Sequence, residues 1–260
     1  PPGYTLVEFD ASGQEYRWMA VCSGDETMLQ LCLPGEDPHS YMGARIVERD
    51  YRELMRALKA EDEIIVKLAE DNRKLGKVGN LSLQYRTSAM KLRTVARVQY
   101  NIPLELPQAQ IIHATYQRTY VRVPEYWKVQ IAETKRLGYV ETLAGRRVQV
   151  RGNWGGEFGW SMGSTAINYR IQGTGGDQKY LGICCLDELL TDVGAYFAWD
   201  LHDGIYFWVP DAKVQTFVAR GKAILDNLPY KKAWGFVPPI PLPWDSKAGP
   251  GWGYLKDYTP

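Results

Sequence analysis

Aromatic and β-branched residues crowd the run Tyr4-Thr-Leu-Val-Glu-Phe9, which stops at Asp10-Ala-Ser-Gly13, and the pattern predicts a strand running into a turn. A helix is expected from about Gln14 to Leu33, then a loop at Pro34-Gly-Glu-Asp-Pro38, with Ser40 as the cap of the next helix. Residues from about Glu48 to Tyr85 read as helical with a break near Ala60, and Thr87 to Val98 continues in the same style. After a turn over Ile102 to Pro107 come a helix to about Thr119 and another from Pro124 to Leu137, its proline in the first turn where no amide donor is needed.

Two hairpins follow from the same reading. One runs from Gly138 to Arg151 around Ala144-Gly145; the other runs from Ala195 to Pro210, where two apolar runs meet at Asp203-Gly204, a strong turn signal. Between them Gly163 to Thr191 is expected to form one long helix despite Gly173, Gly175 and Gly176. A helix over Asp211 to Leu228 and an irregular Pro/Trp/Gly-rich tail from Pro229 complete the chain. The implied class is α+β: a small antiparallel sheet contributed by both ends of the chain, with a helical insertion between them.

Composition narrows the class. The 260 residues are 45% hydrophobic and 23% charged, which suits a globular protein with a real core and excludes both disorder and a miniature disulfide scaffold. The four cysteines form no C-x-x-C and there are three histidines, which argues against structural zinc; the pair Cys184-Cys185 reads as buried filler in a reducing, intracellular setting. No run of 18 apolar residues is present, and the start, Pro1-Pro-Gly3, lacks a charged segment followed by an apolar core, so neither a membrane span nor a signal peptide is expected.

Charge adds more by its distribution than by its sum. Lys and Arg number 31 against 30 Asp and Glu, a net +1 that announces no polyanion binder. Yet Asn72 to Leu104 holds seven positive residues, Arg73, Lys74, Lys77, Arg86, Lys91, Arg93 and Arg97, and no acid. Tyr180 to Ala212 is the reverse, with Asp187, Glu188, Asp192, Asp200, Asp203 and Asp211 and no Lys or Arg. One region suits phosphates and the other suits cations.

Asp10 and Asp203 both stand where apolar strands end or turn, in strands that can be sheet neighbours. Each alone is an ordinary turn residue; converging, they offer hard oxygens to Mg²⁺. Arg73 and Lys77 are four apart, with Leu81 and Tyr85 further along the same stripe, so two cations and an aromatic ring share a helix face able to grip a triphosphate. The plain alternative is a solvated basic face. Gly76 and Gly79 cost about 1 kcal/mol each inside a helix, a cost that points to close approach of a backbone or ligand.

The order Asp10-Ala-Ser-Gly-Gln-Glu15-Tyr-Arg17, then Arg73-x3-Lys77-x7-Tyr85, then His202-Asp203, resembles motifs A, B and C of the family A, DNA polymerase I-like enzymes. Linking segments agree in order: Ser23-Gly-Asp-Glu26, Asp37-Pro-His39-Ser40, Gly138 to Arg147, Asn168-x3-Gln172-Gly-Thr174 and Gly249-Pro-Gly-Trp252. Three spaced motifs in order are far more specific than one, and the likeness covers nearly the whole chain, with an extra stretch between His39 and Arg73.

The resemblance implies a polymerase palm with a helical fingers insertion. Residues 1–20 would be the first part of the palm; residues 21–164 the fingers, with the motif B helix at about 61–85, and the connecting hairpin; residues 165–260 the rest of the palm, with the motif C hairpin and the C-terminal tail. Asp10 and Asp203, with the carbonyl of Ala11, would hold two Mg²⁺ ions, Mn²⁺ serving as a substitute; one would activate a primer 3′-hydroxyl and the other the leaving pyrophosphate. Arg73, Lys77 and His39 would bind the triphosphate, with Lys77 protonating pyrophosphate. Glu15 would obstruct a ribose 2′-hydroxyl, Leu81 would pack at the incoming nucleotide and Tyr85 would stack at the templating position. Arg17, Asn168, Gln172 and His202 would contact primer-template DNA.

Departures stand beside the likeness. Gly204 occupies a position that usually carries Glu, Leu81 one usually aromatic, and Arg86 one usually Gly. The expected activity is template-dependent DNA synthesis from dNTPs, with the thumb and any exonuclease on a second polypeptide or removed from this one, and a viral enzyme at work inside a bacterial cell. Two other readings are a polymerase-like DNA-binding accessory with a weak or inactive site, motivated by Gly204 and Leu81, and a single-subunit RNA polymerase, which Glu15 disfavours.

Overall fold

The computed structural model describes residues 1–260, apart from the side chains at 157 and 158. In chain order the elements are β1 (Tyr4–Ala11), α1 (Gln14–Ser23), α2 (Glu26–Leu31), α3 (Pro38–Ile46), α4 (Tyr51–Ala57), α5 (Glu63–Leu83), α6 (Ala89–Tyr100), α7 (Leu106–Thr119) and α8 (Arg122–Leu137). The hairpin β2 (Tyr139–Glu141) and β3 (Arg147–Gln149) leads to α9 (Gly156–Cys185) and α10 (Asp187–Val193). Then come β4 (Tyr196–Leu201), β5 (Gly204–Pro210), α11 (Val214–Leu225), α12 (Tyr230–Trp234), β6 (Trp244–Gly249) and β7 (Lys256–Asp257). The chain divides into two compact units, one of residues 1–14, 141–146 and 170–260, the other of residues 15–140 and 147–169.

The first unit is built on an antiparallel sheet of order β4-β5-β1-β6-β7, drawn from both ends of the chain as its pattern implies. The tail contradicts its irregular reading by supplying β6 and β7. Within Trp244-Asp-Ser-Lys, Trp244 and Ser246 are buried while Asp245 is exposed, so this strand alternates although proline and glycine bracket it. One face of the sheet carries the core: Phe9 and Phe207 meet Phe217 of α11 with ring centroids 5.7 and 5.4 Å apart. Because side chains alternate across a strand, Glu8 and Asp10, flanking Phe9, point to the opposite face.

The second unit is helical. The expected single helix from Gln14 to Leu33 is instead α1 and α2, because Gly24 turns the chain at φ +62° and the Asp25 carboxylate accepts from the Met28 amide, capping a new helix. Ser40 is not the cap of α3: Asp37 accepts from the His39 amide and from the Ser40 hydroxyl, with Pro38 opening the helix. Asp50 and Asp62 cap α4 and α5 in the same manner, and the break near Ala60 separates them. Gly76 has its reason in a backbone: a Cβ there would lie 2.0 Å from the His39 carbonyl oxygen and 2.4 Å from the Gly43 amide, so α3 crosses α5 at glycine contact distance. Buried Tyr116 and Tyr120 pack edge to face at 5.0 Å, and Trp127 donates to the Gln84 carbonyl at 2.9 Å, holding the end of α5.

The helix expected over Gly163 to Thr191 begins earlier, at Gly156, and stops at Cys185. At fully buried Leu186 the amide is shared between the carbonyls of Gly182 and Ile183, a tightened turn that separates α10. The turn between β4 and β5 is also displaced by one residue. Leu201 pairs with Gly204, leaving His202-Asp203 as the turn, and it is His202, at φ +52°, that takes the left-handed conformation. A positive φ in a tight turn favours glycine and here is met by histidine.

Candidate active site

In the sheet-bearing unit β1 lies between β5 and β6, and its register sets the site. Asp10 is opposite Gly204 on one side and Asp245 on the other, while Glu8 is opposite Tyr206 and Lys247. The Ala11 amide donates to the Asp203 carbonyl at 3.4 Å, so the turn carrying Asp203 lies against the end of β1. The Asp10 carboxyl is pushed up to about 6, first by burial and then by the negative charges of Asp203 and Glu8, with Lys247 pulling the other way. Lys247 is itself committed, 3.2 Å from one Glu8 oxygen, and the Tyr206 hydroxyl donates to the other.

Gly204 has a physical explanation in the same place. A Cβ there would come 2.9 Å from the Tyr206 hydroxyl and 3.1 Å from its ring, so the space a longer side chain would use holds the tyrosine. Among the described residues no three His, Cys, Asp or Glu side chains gather as a ready metal cluster. Asp10 and Asp203 nevertheless bring two hard-oxygen side chains within electrostatic reach of one another, and the repulsion that adds to burial in raising Asp10 is what a divalent cation relieves. The residues fit such an ion.

The cations of the helical unit stand in an organised cluster. The Arg73 guanidinium pairs with Asp37 at 2.6 Å, and Arg73 together with hydrogen bonds from Ser40 and the His39 amide holds the Asp37 carboxyl below its ordinary value against the effect of burial. Asn80 donates one amide hydrogen to the Pro38 carbonyl at 2.9 Å and approaches His39 Nδ1 at 3.2 Å. Because that nitrogen of Asn80 only donates, His39 Nδ1 accepts and Nε2 carries the proton. Burial and the nearby Arg73 and Lys77 push His39 down to about 4, so it stands neutral with an N–H to offer. Lys77, one turn beyond Arg73, is exposed.

Just past the end of α5, Gln84 and Tyr85 both donate to one Glu15 oxygen, at 2.8 and 2.9 Å, fixing the carboxylate against the helix end. A cleft of about 520 Å³ adjoins this pair, with Leu81, Tyr85, Arg86, Trp160 and Asn168 on its walls. Arg86 sits at φ +63° and lays its guanidinium 4.2 Å from the Trp160 ring centroid. Arg17 has a role inside its own unit, donating to the Cys32 carbonyl at 2.7 Å at the end of α2. In the sheet-bearing unit Gln172 is exposed on α9 and His202 is exposed at the β4–β5 turn.

Within each unit, then, residues far apart in sequence meet: Asp10 with Asp203, Asp37 and His39 with Arg73 and Asn80, Glu15 with Tyr85. The pattern of the chain does not point to Tyr206, Lys247 or Asp245, because the strand that brings two of them is bracketed by proline and glycine. Nor does it point to Lys179, which pairs with Asp200. Its signal is its place one residue outside the stretch without cations.

The profile of DNA polymerase family A matches residues 1–254. DNA polymerase I of Deinococcus radiodurans is 27% identical over 252 residues, 96% of this chain and 24% of that protein. The DNA polymerase of Mycobacterium phage D29 is 30% identical over 212 residues, 82% of this chain and 30% of the phage protein. The POL domain of Pol1 from M. smegmatis, solved in complex with DNA primer-template and dNTP, shares the fold at a TM-score of 0.77 and 21% identity, covering 97% of this chain and 41% of that one. The chain spans between 24% and 38% of the length of such curated relatives as the D. radiodurans and Aquifex aeolicus enzymes. Match and fold together establish that the chain belongs to DNA polymerase family A.

Proposed function

We propose that this chain is the palm and fingers of a DNA polymerase, joining a dNTP to a primer 3′-hydroxyl under direction of a DNA template. The observation that carries the reading is the strand register that sets Asp10 beside the turn bearing Asp203. The palm would correspond to the unit of residues 1–14, 141–146 and 170–260 and the fingers to the other, bounds that differ from the 1–20, 21–164 and 165–260 that the resemblance implies. A thumb outside these 260 residues, on the same polypeptide or on a second one, completes the grip on the duplex.

Asp10 and Asp203, with the Ala11 carbonyl, would hold two Mg²⁺ ions, or Mn²⁺ in their place. Such ions supply Lewis acidity to the attacking hydroxyl and to the leaving pyrophosphate. The side chains do the rest. Arg73 and Lys77 would neutralise the triphosphate, Lys77 would return a proton to pyrophosphate, and neutral His39 would donate from Nε2 to a phosphate oxygen. Glu15, pinned by Gln84 and Tyr85, stands as the wall that a ribose 2′-hydroxyl would meet. Leu81 packs against the incoming nucleotide, Tyr85 stacks beside the templating base, and Arg17, Asn168, Gln172 and His202 contact primer-template.

The test is primer extension by the chain supplied with a family A thumb, in cis or in trans. Asp10→Ala and Asp203→Ala are each expected to abolish extension while the protein still melts cooperatively; retained activity in either overturns the assignment. Incorporation of rNTP as efficient as dNTP would overturn the role of Glu15. A second reading, a weak polymerase acting chiefly as a DNA-binding accessory, is motivated by Leu81 and by Gly204, whose side-chain space is taken by Tyr206. DNA binding that survives in Asp10→Ala, with no extension by the unaltered chain under any divalent ion, would select it.

A further inference from the structure

The acidic stretch Tyr180–Ala212 lacks Lys and Arg, yet one of its carboxylates is neutralised from just outside it. Lys179, on α9, is 7% exposed. Its ammonium pairs with the Asp200 carboxylate, donates to the His202 main-chain carbonyl at 3.1 Å and lies 5.2 Å from the Tyr180 ring centroid. Only the lysine of this pair is buried, the Asp200 side chain being 31% exposed, and desolvating the ammonium offsets much of the Coulombic gain, so the pair asks for a reason in geometry.

The carbonyl it holds supplies that reason. The His202 carbonyl and the Asp203 amide belong to one rigid peptide plane, and His202 occupies a left-handed conformation that is uncommon for a residue with a Cβ. Held at Asp200 and at that carbonyl, the β4–β5 turn is anchored to α9 on both sides of its strained residue. Locking the plane leaves Asp203 only its own torsions with which to orient. We propose that Lys179 is the positioning residue of the carboxylate pair: its ammonium fixes the His202-Asp203 peptide so that Asp203 faces the same ligand as Asp10. The role rests on the two-carboxylate reading of the site.

Lys179→Met, Lys179→Arg and the unaltered chain are compared in three measurements. Hydrogen exchange of the 196–208 segment, with metal and nucleotide absent, reads the turn directly. Mn²⁺ affinity by electron paramagnetic resonance reads the carboxylates, and single-turnover dNTP incorporation, with the thumb supplied, reads the outcome. Lys179→Met is expected to melt cooperatively, to exchange faster at the turn, and to lose about tenfold in both Mn²⁺ affinity and incorporation rate with dNTP KM held within about twofold; a small displacement near reacting atoms costs this much or more. Lys179→Arg recovers most of the loss. Should Lys179→Met not fold, Lys179→Gln, which keeps an amide donor for the carbonyl, carries the same measurements. Unchanged exchange at the turn, or unchanged Mn²⁺ affinity, overturns the role. An unaltered chain that binds Mn²⁺ no better than Asp10→Asn overturns the metal reading instead, and the exchange measurement still decides what Lys179 does.

Discussion

In the sheet-bearing unit Asp10 stands beside Asp203 with its carboxyl pushed up to about 6, whereas in the helical unit Arg73 already pairs with Asp37 at 2.6 Å and His39 is pushed down to about 4. One cluster keeps its negative charge uncompensated. The other has traded part of its positive charge for internal bonds and a neutral imidazole. An uncompensated carboxylate pair is costly until a cation arrives, so its binding energy is reserved for the ligand. A cluster braced by Asp37, Ser40 and Asn80 has its geometry set beforehand, so less ordering is left for the moment of binding.

The comparison breaks first on activity. Asp203→Asn keeps shape and removes charge, and it is expected to lower single-turnover incorporation by roughly a thousandfold, the several kcal/mol that metal stabilisation supplies. Arg73→Ala is expected to lose less, on the order of a hundredfold in kcat/KM for dNTP, because Lys77 and His39 remain on the same face. An equal loss in both would show that the clusters are not built differently.

Gly76→Ala addresses the bracing itself. With its Cβ 2.0 Å from the His39 carbonyl oxygen, the two helices must part, at a cost of about 3 kcal/mol read by denaturant unfolding. The expected loss falls on the helical unit and on dNTP binding, leaving Mn²⁺ affinity at the carboxylates intact. Unchanged stability would show that α3 and α5 do not need their close crossing.

The smallest effects are in pH, and the two units are expected to oppose one another. Asp10 has a folded value raised from 3.8 to about 6, so its stabilising contribution is complete below 3.8 and is lost as pH rises through 6. His39 has a folded value lowered from 6.5 to about 4, so its contribution is present above 6.5 and is lost as pH falls toward 4. In chelator, Asp10→Asn should therefore melt higher than the unaltered chain above pH 6 and equally at pH 4, while His39→Gln should lose less stability than the unaltered chain below pH 6. After discounting for partial exposure each effect is about 1 kcal/mol. A saturating divalent ion should erase the Asp10 effect and leave that of His39.

Much of this was legible along the chain, for identifiable reasons. Arg73, Lys77 and Leu81 lie on one helix, and helical periodicity is local, so their shared face followed from spacing alone, whereas Tyr85 falls past the helix end at Leu83 and is not on that stripe. The strand at Tyr4–Ala11 and the paired runs around Asp203 were equally plain. Caps were less so: Asp37, Ser40 and Asp25 are all capable oxygens, and which of them caps depends on where the chain turns. In the tail Pro and Gly dominate the composition and hide its strands, whose pairing with β1 is made nearly 240 residues away.

By itself the sequence determined most of the helices, the strands at Tyr4–Ala11 and around Asp203, the segregation of acids from bases and, through three ordered motifs, membership of the family. Only the tertiary structure decided which carboxylates meet, that Tyr206 fills the space beside Gly204, that His202 bears the strain of the turn, and that Lys179 reaches it. Helix faces are written in neighbours three and four apart. Strand register, a helix crossing at glycine and a buried cation's choice of partner depend on packing between distant segments, where free energy is shared among many contacts and no short stretch of chain carries the answer.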